Sequence, residues 1–417
     1  MFRSKEFLSL LEKAIKSASA LITIFLVSSK LQPQDFGEFS LIEGYCFLLF
    51  SIIVFGFQTV GNRILVDYDS SDCIRKIIKL RLLICLVLSV SSFAFFNLID
   101  IKIINNLDVF LITLLLFYTV TSYRENISYH NDNYSEYIVD KILVLLFCFT
   151  LKLLSLFLFF DYIISVLIIC FFMEVCPVSF VFWRKYSIVK EIEEKEKITY
   201  KEMSFLCFPT MLSSISIVIY SRFNQYLLAY FLPLSDVGAF SVLSRVSDLF
   251  VFLPTVIGAL YLPRAYKLGI TPKFIENYSR LIHIVAFVSF LFSVTLYGIY
   301  YSTAEEKGWL IPMNTAIFYQ LTIFLNFIGM FVSQVQSYLG NPIHRMFRIV
   351  AGMIINISLS YFLIPVWGVN GVIVSILISL TISNLVIPAL FKESWLIRVV
   401  LSSLLSFYRF RINDIKL

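Results

Sequence analysis

Twelve stretches of mostly apolar residues, each close to the length needed to cross a bilayer, constrain this chain more than any other feature. They lie at 16–31, 37–61, 80–98, 108–123, 138–160 and 162–183, then at 204–231, 237–262, 281–300, 312–335, 347–364 and 369–391. A helical span takes about 20 such residues at a rise of about 1.5 Å each. Lipid offers the backbone no hydrogen bonds, so runs of this kind must supply their own as helices. Soluble proteins carry about a quarter of their residues as charges. Here charged residues are 15% of 417, hydrophobic residues are 59%, and 43 are phenylalanine. The expectation is an all-α polytopic membrane protein of about twelve transmembrane helices in two pseudo-symmetric six-helix bundles.

Composition divides the chain accordingly. Residues 1–183 form the first bundle and 204–391 the second. Between them 184–203, with its KEIEEKEK run, is expected to be a charged helical linker in the cytoplasm. Residues 392–417 form a basic cytoplasmic tail, whose WLIRVVLSSLLSFYRF segment is too short and too basic to cross. It fits an amphipathic helix lying in the membrane interface. No cleavable leader is evident, and the first apolar run is expected to stay as an anchor.

Lysines and arginines accumulate on the cytoplasmic side of membrane proteins. With the N-terminus inside, the basic residues fall in the N-terminal arm, the even-numbered loops, the linker and the tail. Only Lys30, Lys102 and Lys307 fall on the opposite side, and Lys152, Arg222 and Arg245 fall within spans. Both termini are therefore expected in the cytoplasm. The net charge of +6 reports this loop placement and implies no nucleic-acid partner.

One stretch occurs twice. QDFGEFSLIE at 34–43 and SDVGAFSVLS at 235–244 align without a gap at an offset of 201 residues. Asp35 meets Asp236, Gly37 meets Gly238, Phe39 meets Phe240, Ser40 meets Ser241, and Arg63 at the far end meets Arg264. Only six of thirty positions are identical across 34–63 and 235–264, but they mark the same turn and the same basic exit. The even number of spans makes the halves parallel repeats, and transporters built so place the substrate site at the repeat interface near mid-membrane. The outward loops are short, 302–311 being the largest, which leaves little on which to build an extracytoplasmic catalytic site.

A charge at the bilayer centre costs at least about 2.5 kcal/mol and marks a cavity or a partner. Arg222 and Arg245 fall on consecutive antiparallel spans, each about 13 Å below the outer surface. Lys152 falls at a similar depth in the first half. The three could bind an anionic ligand, with Asn224 and Gln225 adding polar groups beside Arg222. The plainer alternatives stay open: Arg245 pairing with Asp248 at i+3, Arg222 as a structural arginine, and Lys152 reaching outward to solvent. Asp248 and Glu174 are the candidates for coupling to H+ or Na+. Arg63 and Arg264 are either a cytoplasmic gate or ordinary basic anchors. Prolines 177, 209, 254 and 388 fall within spans, where they break the hydrogen-bond ladder.

Other chemistry finds little support. The cysteines show no paired spacing, and most sit in apolar runs as small apolar residues. The three histidines are far apart, and no phosphate-cradling GxxxxGK[ST] or HExxH is present, so neither metal nor catalytic constellation is expected.

These residues resemble a known family. LQPQDFGEFSLIEGYCFLLFSIIVFGF at 31–57, SRFNQYLLAYFLPLSDVGAFSVLSRVSDLFVFLPTVIGALYLPRA at 221–265 and IPVWGVNGVIVS at 364–375 are similar to the Wzx-type O-antigen flippases, in the polysaccharide-transporter branch of the MATE-like MOP superfamily. The resemblance implies a transporter, not an enzyme, in the bacterial inner membrane. Its substrate would be undecaprenyl diphosphate carrying an oligosaccharide repeat unit, moved by alternating access from the cytoplasmic to the periplasmic leaflet for lipopolysaccharide or other surface polysaccharide. It also implies membrane lipids, a polysaccharide polymerase and a chain-length regulator as partners. The family often has an acid where this chain has Asn224, which shifts any ion coupling to Glu174 or Asp248 or leaves it absent. The competing readings are an ion-coupled exporter of cationic drugs on the same fold, and a membrane polysaccharide polymerase.

Overall fold

The computed structural model describes residues 4–98, 106–131, 133–158, 163–175, 196–258, 262, 272–304, 311–338, 342–391 and 393–406. Every regular element among them is helical. The first half holds α1 Ser4–Lys30, α2 Pro33–Val54, α3 Phe57–Asp67, α4 Ser70–Leu98, α5 Asn106–Thr119, α6 Arg124–His130, α7 Tyr134–Leu158 and α8 Ile163–Val175. The second holds α9 Tyr200–Phe231, α10 Leu234–Asp248, α11 Pro272–Ala304, α12 Met313–Gln320, α13 Thr322–Tyr338, α14 Pro342–Trp367, α15 Val369–Thr381, α16 Ile387–Leu390 and α17 Ser394–Leu405.

Eight continuous or nearly continuous helical stretches among the described residues are long and apolar enough to cross a membrane, including Pro33–Asp67, Tyr134–Leu158, Tyr200–Phe231 and Leu234–Gly258. Their outer faces are apolar. On α4 the side chains of Leu83, Leu86, Val87 and Val90 are exposed, and on α7 so are Leu143, Phe147, Leu154 and Phe157. Water would make such faces sticky; lipid tails solvate them. The protein is a multi-pass membrane protein with an all-helical fold. Several expected spans run into residues outside the described set, so twelve remains the sequence expectation.

Local signals account for the helix starts. Asp69 caps α4, its carboxylate accepting the backbone N–H of Ser71 at 2.9 Å and of Asp72 at 3.2 Å. Thr199 and Glu202 form a reciprocal capping box at the head of α9: each side chain accepts the other's backbone N–H, at 2.9 and 3.2 Å. The expected helical linker lies mostly outside the described residues, and its described end, 196–199, is irregular until this box starts the helix. The tail helix α17 is docked, with Leu396 and Val400 buried in a core with Tyr278, Ile282 and Phe327, while Trp395, Leu401 and Leu405 stay exposed.

The chain divides into two compact units. One comprises Met1–Lys30 with Leu41–Val218, the other Leu31–Ser40 with Ile219–Leu417. The first has its main core around Ile42, Cys46, Leu116, Ile168 and Phe172. A second cluster lies around Phe57, Leu65, Ile77, Ile127 and Cys207. The second unit is centred on Tyr278, Ile282, Phe327, Phe331 and Val335. The described cysteines are all buried and free.

Candidate functional site

In the first unit, charges gather where α1, α7 and α8 pack. Lys152 on α7 donates to the Glu174 carboxylate on α8 at 2.6 Å, with only 9% and 14% of the two side chains exposed. Lys141, eleven residues and therefore about 16 Å earlier along α7, donates to Glu12 on α1 at 3.2 Å. Lys16, one turn beyond Glu12, is exposed and lies within electrostatic reach of Glu12, Lys141, Lys152 and Glu174. Spacings of four, three and four place Glu12, Lys16, Ser19 and Thr23 on one face of α1. The hydroxyls of Ser19 and Thr23 are buried and bonded to nothing among the described residues. Lys13 lies within reach of Glu12, Lys141 and Glu125 as well, so the neighbourhood sets four lysines against three glutamates beside spare hydroxyl groups.

In the second unit, Arg222 on α9 lies 3.9 Å from Asp248 at the end of α10, and Asp248 is 43% exposed. Arg245 is buried. Its guanidinium donates to the Ser40 hydroxyl at 3.3 Å and stands over the Phe36 and Phe39 rings, 5.0 and 5.4 Å from their centres. Asn224 accepts the Ser360 hydroxyl at 3.0 Å, and Gln225 donates to Ser241 at 3.1 Å. Both amides are fully buried, each with one polar atom left unmatched among the described residues: Nδ2 of Asn224 and Oε1 of Gln225.

The structure thus joins Lys152 to Glu174 and Arg222 to Asp248. It seats Arg245 on the start of α2 and packs Asn224 and Gln225 against α14 and α10. Arg63 is 82% exposed and reaches Asp67 at 3.4 Å on its own helix. Arg264 lies outside the described residues, as does Pro177.

Several of the membrane-length apolar stretches are broken internally. The span Pro33–Asp67 turns at Phe55 and Gly56, with φ of 54° and 68°. α10 gives way after Asp248 to a turn ahead of Pro254, whose carbonyl accepts from Gln334 at 2.9 Å. Between α15 and α16, Ile382–Val386 winds as a π-helix. A broken helix frees carbonyls that lipid cannot satisfy.

Two arginines answer this need. Arg81 is fully buried and donates to the carbonyls of Val54, at the break in α2, and Val120, at the start of a 3₁₀ turn, at 3.0 and 3.1 Å. It also donates to Ser122 at 2.8 Å. Arg348 donates to the Gly329 carbonyl at 3.1 Å, to Ser333, and to Asn384 within the π segment. The charge pattern of the sequence assigns both to the cytoplasmic edge as anchors. The signal that would have found them is a basic residue just inside a span, facing a span that carries an FG or SN break.

Comparison with known proteins agrees with this architecture. The sequence profile described as "Polysaccharide biosynthesis protein" matches residues 5–263, more than half of the chain. No curated protein sequence matches at a significant level. Among solved structures, "Lipid II flippase MurJ, inward closed conformation" superposes with a TM-score of 0.62 at 15% identity, covering 97% of this chain and 91% of that one. An inward-facing multidrug resistance MATE family transporter of the MOP superfamily superposes with a TM-score of 0.61 at 14% identity, covering 94% and 96%. A MATE structure in the bent conformation gives 0.57 at 14% identity, covering 94% and 95%. At these identities the likeness is one of fold: the fold of a flippase and of drug transporters. The profile match carries the family, and the chain belongs to the polysaccharide biosynthesis protein family.

Proposed function

We propose that this protein is a flippase for lipid-linked oligosaccharides, not an enzyme. Its substrate is undecaprenyl diphosphate bearing a repeat unit of O-antigen or another surface polysaccharide, and it carries that headgroup from the cytoplasmic to the periplasmic leaflet of the bacterial inner membrane. Twelve spans, cytoplasmic termini and alternating access belong to the same reading. The observation that carries it is the excess of cations in the polar neighbourhood of the first unit, where Lys13, Lys16, Lys141 and Lys152 face Glu12, Glu125 and Glu174. A diphosphate offers the compact charge and the acceptor oxygens that such lysines hold.

Lys152, Arg222, Arg245, Asn224 and Gln225 are the residues proposed for substrate binding, each within its own unit. Arg245 is held by Ser40 and two phenyl rings and adds positive charge to the second unit, and Asn224 and Gln225 keep that part of α9 polar. Glu174 and Asp248, each beside a cation, are the groups through which H+ or Na+ coupling would act. Arg63 and Arg264 are proposed for the cytoplasmic entrance.

The test is transport by purified protein in proteoliposomes. A fluorescent diphosphate-linked glycan is expected to cross, and loss of movement in Lys152→Gln and Arg222→Gln is expected with it. Export of a cationic dye without movement of the glycan would replace this reading by the drug-exporter one.

A further inference from the structure

We propose that Glu174 is the resident counter-ion of an anion site in the first unit, displaced from Lys152 by the substrate's headgroup, with Lys16 as a further cation beside that pair. This rests on the reading of the chain as a carrier of a lipid-linked anionic glycan.

The argument begins with the cost of a lone lysine. An unpaired ammonium inside a membrane protein is strongly penalised, so a site built to hold an anion needs another partner while it is empty. Glu174 provides that partner for Lys152 at 2.6 Å. The charged groups of the neighbourhood are Glu12, Lys13 and Lys16 on α1, Glu125 on α6, Lys141 and Lys152 on α7, and Glu174 itself on α8. The thiols of Cys148 and Cys170 lie between α7 and α8. Around Phe171 and Phe172, α2 and α5 contribute apolar side chains such as Phe47, Ile112 and Leu116. Lys141 pairs with Glu12 and Lys152 with Glu174, while Lys16, within electrostatic reach of both pairs, forms no ion pair of its own among the described residues.

A purely structural ion pair needs none of what surrounds this one. Lys16 is exposed, and on the same face of α1 the buried Ser19 and Thr23 hydroxyls lack partners among the described residues. These are groups a phosphate or a sugar hydroxyl satisfies. A diphosphate carries more charge and more acceptor oxygens than one carboxylate, so it takes Lys152 when present. Glu174 takes the lysine back as the headgroup leaves. The carboxylate therefore lowers affinity and speeds release, as a carrier requires.

The experiment measures binding of farnesyl diphosphate to the full-length protein in lipid nanodiscs, with farnesol as the neutral control. Glu174→Gln is expected to bind the diphosphate tighter by roughly tenfold, because the internal competitor is gone. Its turnover in proteoliposomes is expected to fall, because release slows. Lys152→Gln and Lys16→Gln are expected to weaken binding, also when combined with Glu174→Gln. A gain in affinity is a readout that misfolding does not imitate. The exchanged pair, Lys152→Glu with Glu174→Lys, checks that the fold tolerates change here.

Unchanged or weaker binding by Glu174→Gln, in protein that still moves the glycan, overturns the counter-ion role and leaves the flippase reading standing. Failure of wild type and every variant to bind farnesyl diphosphate, with export of a cationic dye intact, overturns both.

Discussion

Gly37 and Gly238 face each other where the first turns of α2 and α10 cross, and the contact is two-fold symmetric. A Cβ on Gly37 would lie 2.3 Å from the carbonyl oxygen of Leu234, and one on Gly238 would lie 2.1 Å from that of Pro33. Pro33 and Leu234 are separated by the same 201 residues as the two glycines. The duplicated stretch therefore packs against its own copy about a local dyad. Only glycine permits two helices to approach this closely, and the obstacle in each case is main chain, which cannot swing aside.

Gly37→Ala and Gly238→Ala are each expected to destabilise the protein by about 1–3 kcal/mol, the usual cost of overpacking. Thermal unfolding can be followed through a thiol-reactive dye that reports the buried cysteines. The double variant should cost less than the sum of the two, because one separation of the helices relieves both clashes. Additive losses would mean that the two sites act independently and that the dyad contact is not shared.

Arg81 supports a second expectation. Arg81→Met removes the donors for two carbonyls and a hydroxyl at the breaks in α2 and before α6. Each buried acceptor left unmatched costs about 1–3 kcal/mol, so a large drop in thermal stability should follow. Arg81→Lys is expected to rescue little, because one ammonium cannot span the Val54 and Val120 carbonyls as a planar guanidinium does. Full rescue by lysine would show that charge, not the fork of donors, is what this position needs.

These two cases show what was legible in the sequence and what was not. The apolar spans and the repeat that aligns Gly37 with Gly238 could be read because each rests on a pattern along the chain, whereas the contact between those two glycines could not. Lys152, Glu174, Arg222 and Asp248 stood out singly, because a charge inside an apolar run is conspicuous. Their pairing across helices was not legible: it depends on how α7 turns toward α8 and α9 toward α10, and the sequence offered the i+3 pair Arg245 and Asp248 only as one alternative. Arg81 and Arg348 looked like anchors because their true partners are carbonyls freed by irregularities in other helices.

Asp69 gives a pH dependence outside the membrane. The Ser71 hydroxyl, then the Asp72 and Ser71 backbone N–H groups, hold its carboxyl below the ordinary aspartate range. A depressed folded value means that the cap's stabilisation is complete above the unfolded value, about 3.9, and is lost as pH falls through the folded one. Asp69→Ala should cost about 1 kcal/mol near neutral pH, and Asp69→Asn much less, since asparagine also caps. Melting measured from pH 7 down to pH 3 should show the difference between wild type and Asp69→Asn shrinking toward the acid end. A difference that grows with acid would reverse the sign and remove the cap from the explanation.

The two arginines of the second unit should separate under substitution. Arg245 is buried against Phe36 and Phe39 and bonded to Ser40, so its role is carried by packing as well as charge. A desolvated cation over an aromatic face is worth about 2 kcal/mol, and lysine reproduces the charge without the stacked plane. Arg245→Lys is therefore expected to lower the melting temperature clearly. Arg222 stands 3.9 Å from a carboxylate that is 43% exposed, a pairing worth at most about 1 kcal/mol. Arg222→Gln should leave melting almost unchanged while abolishing movement of the diphosphate-linked glycan, because a neutral amide keeps the polarity and loses the charge. Comparing melting with transport in the same preparations decides the assignment. If Arg222→Gln melts early and the surviving protein transports normally, Arg222 is a packing residue and its substrate contact must be given up.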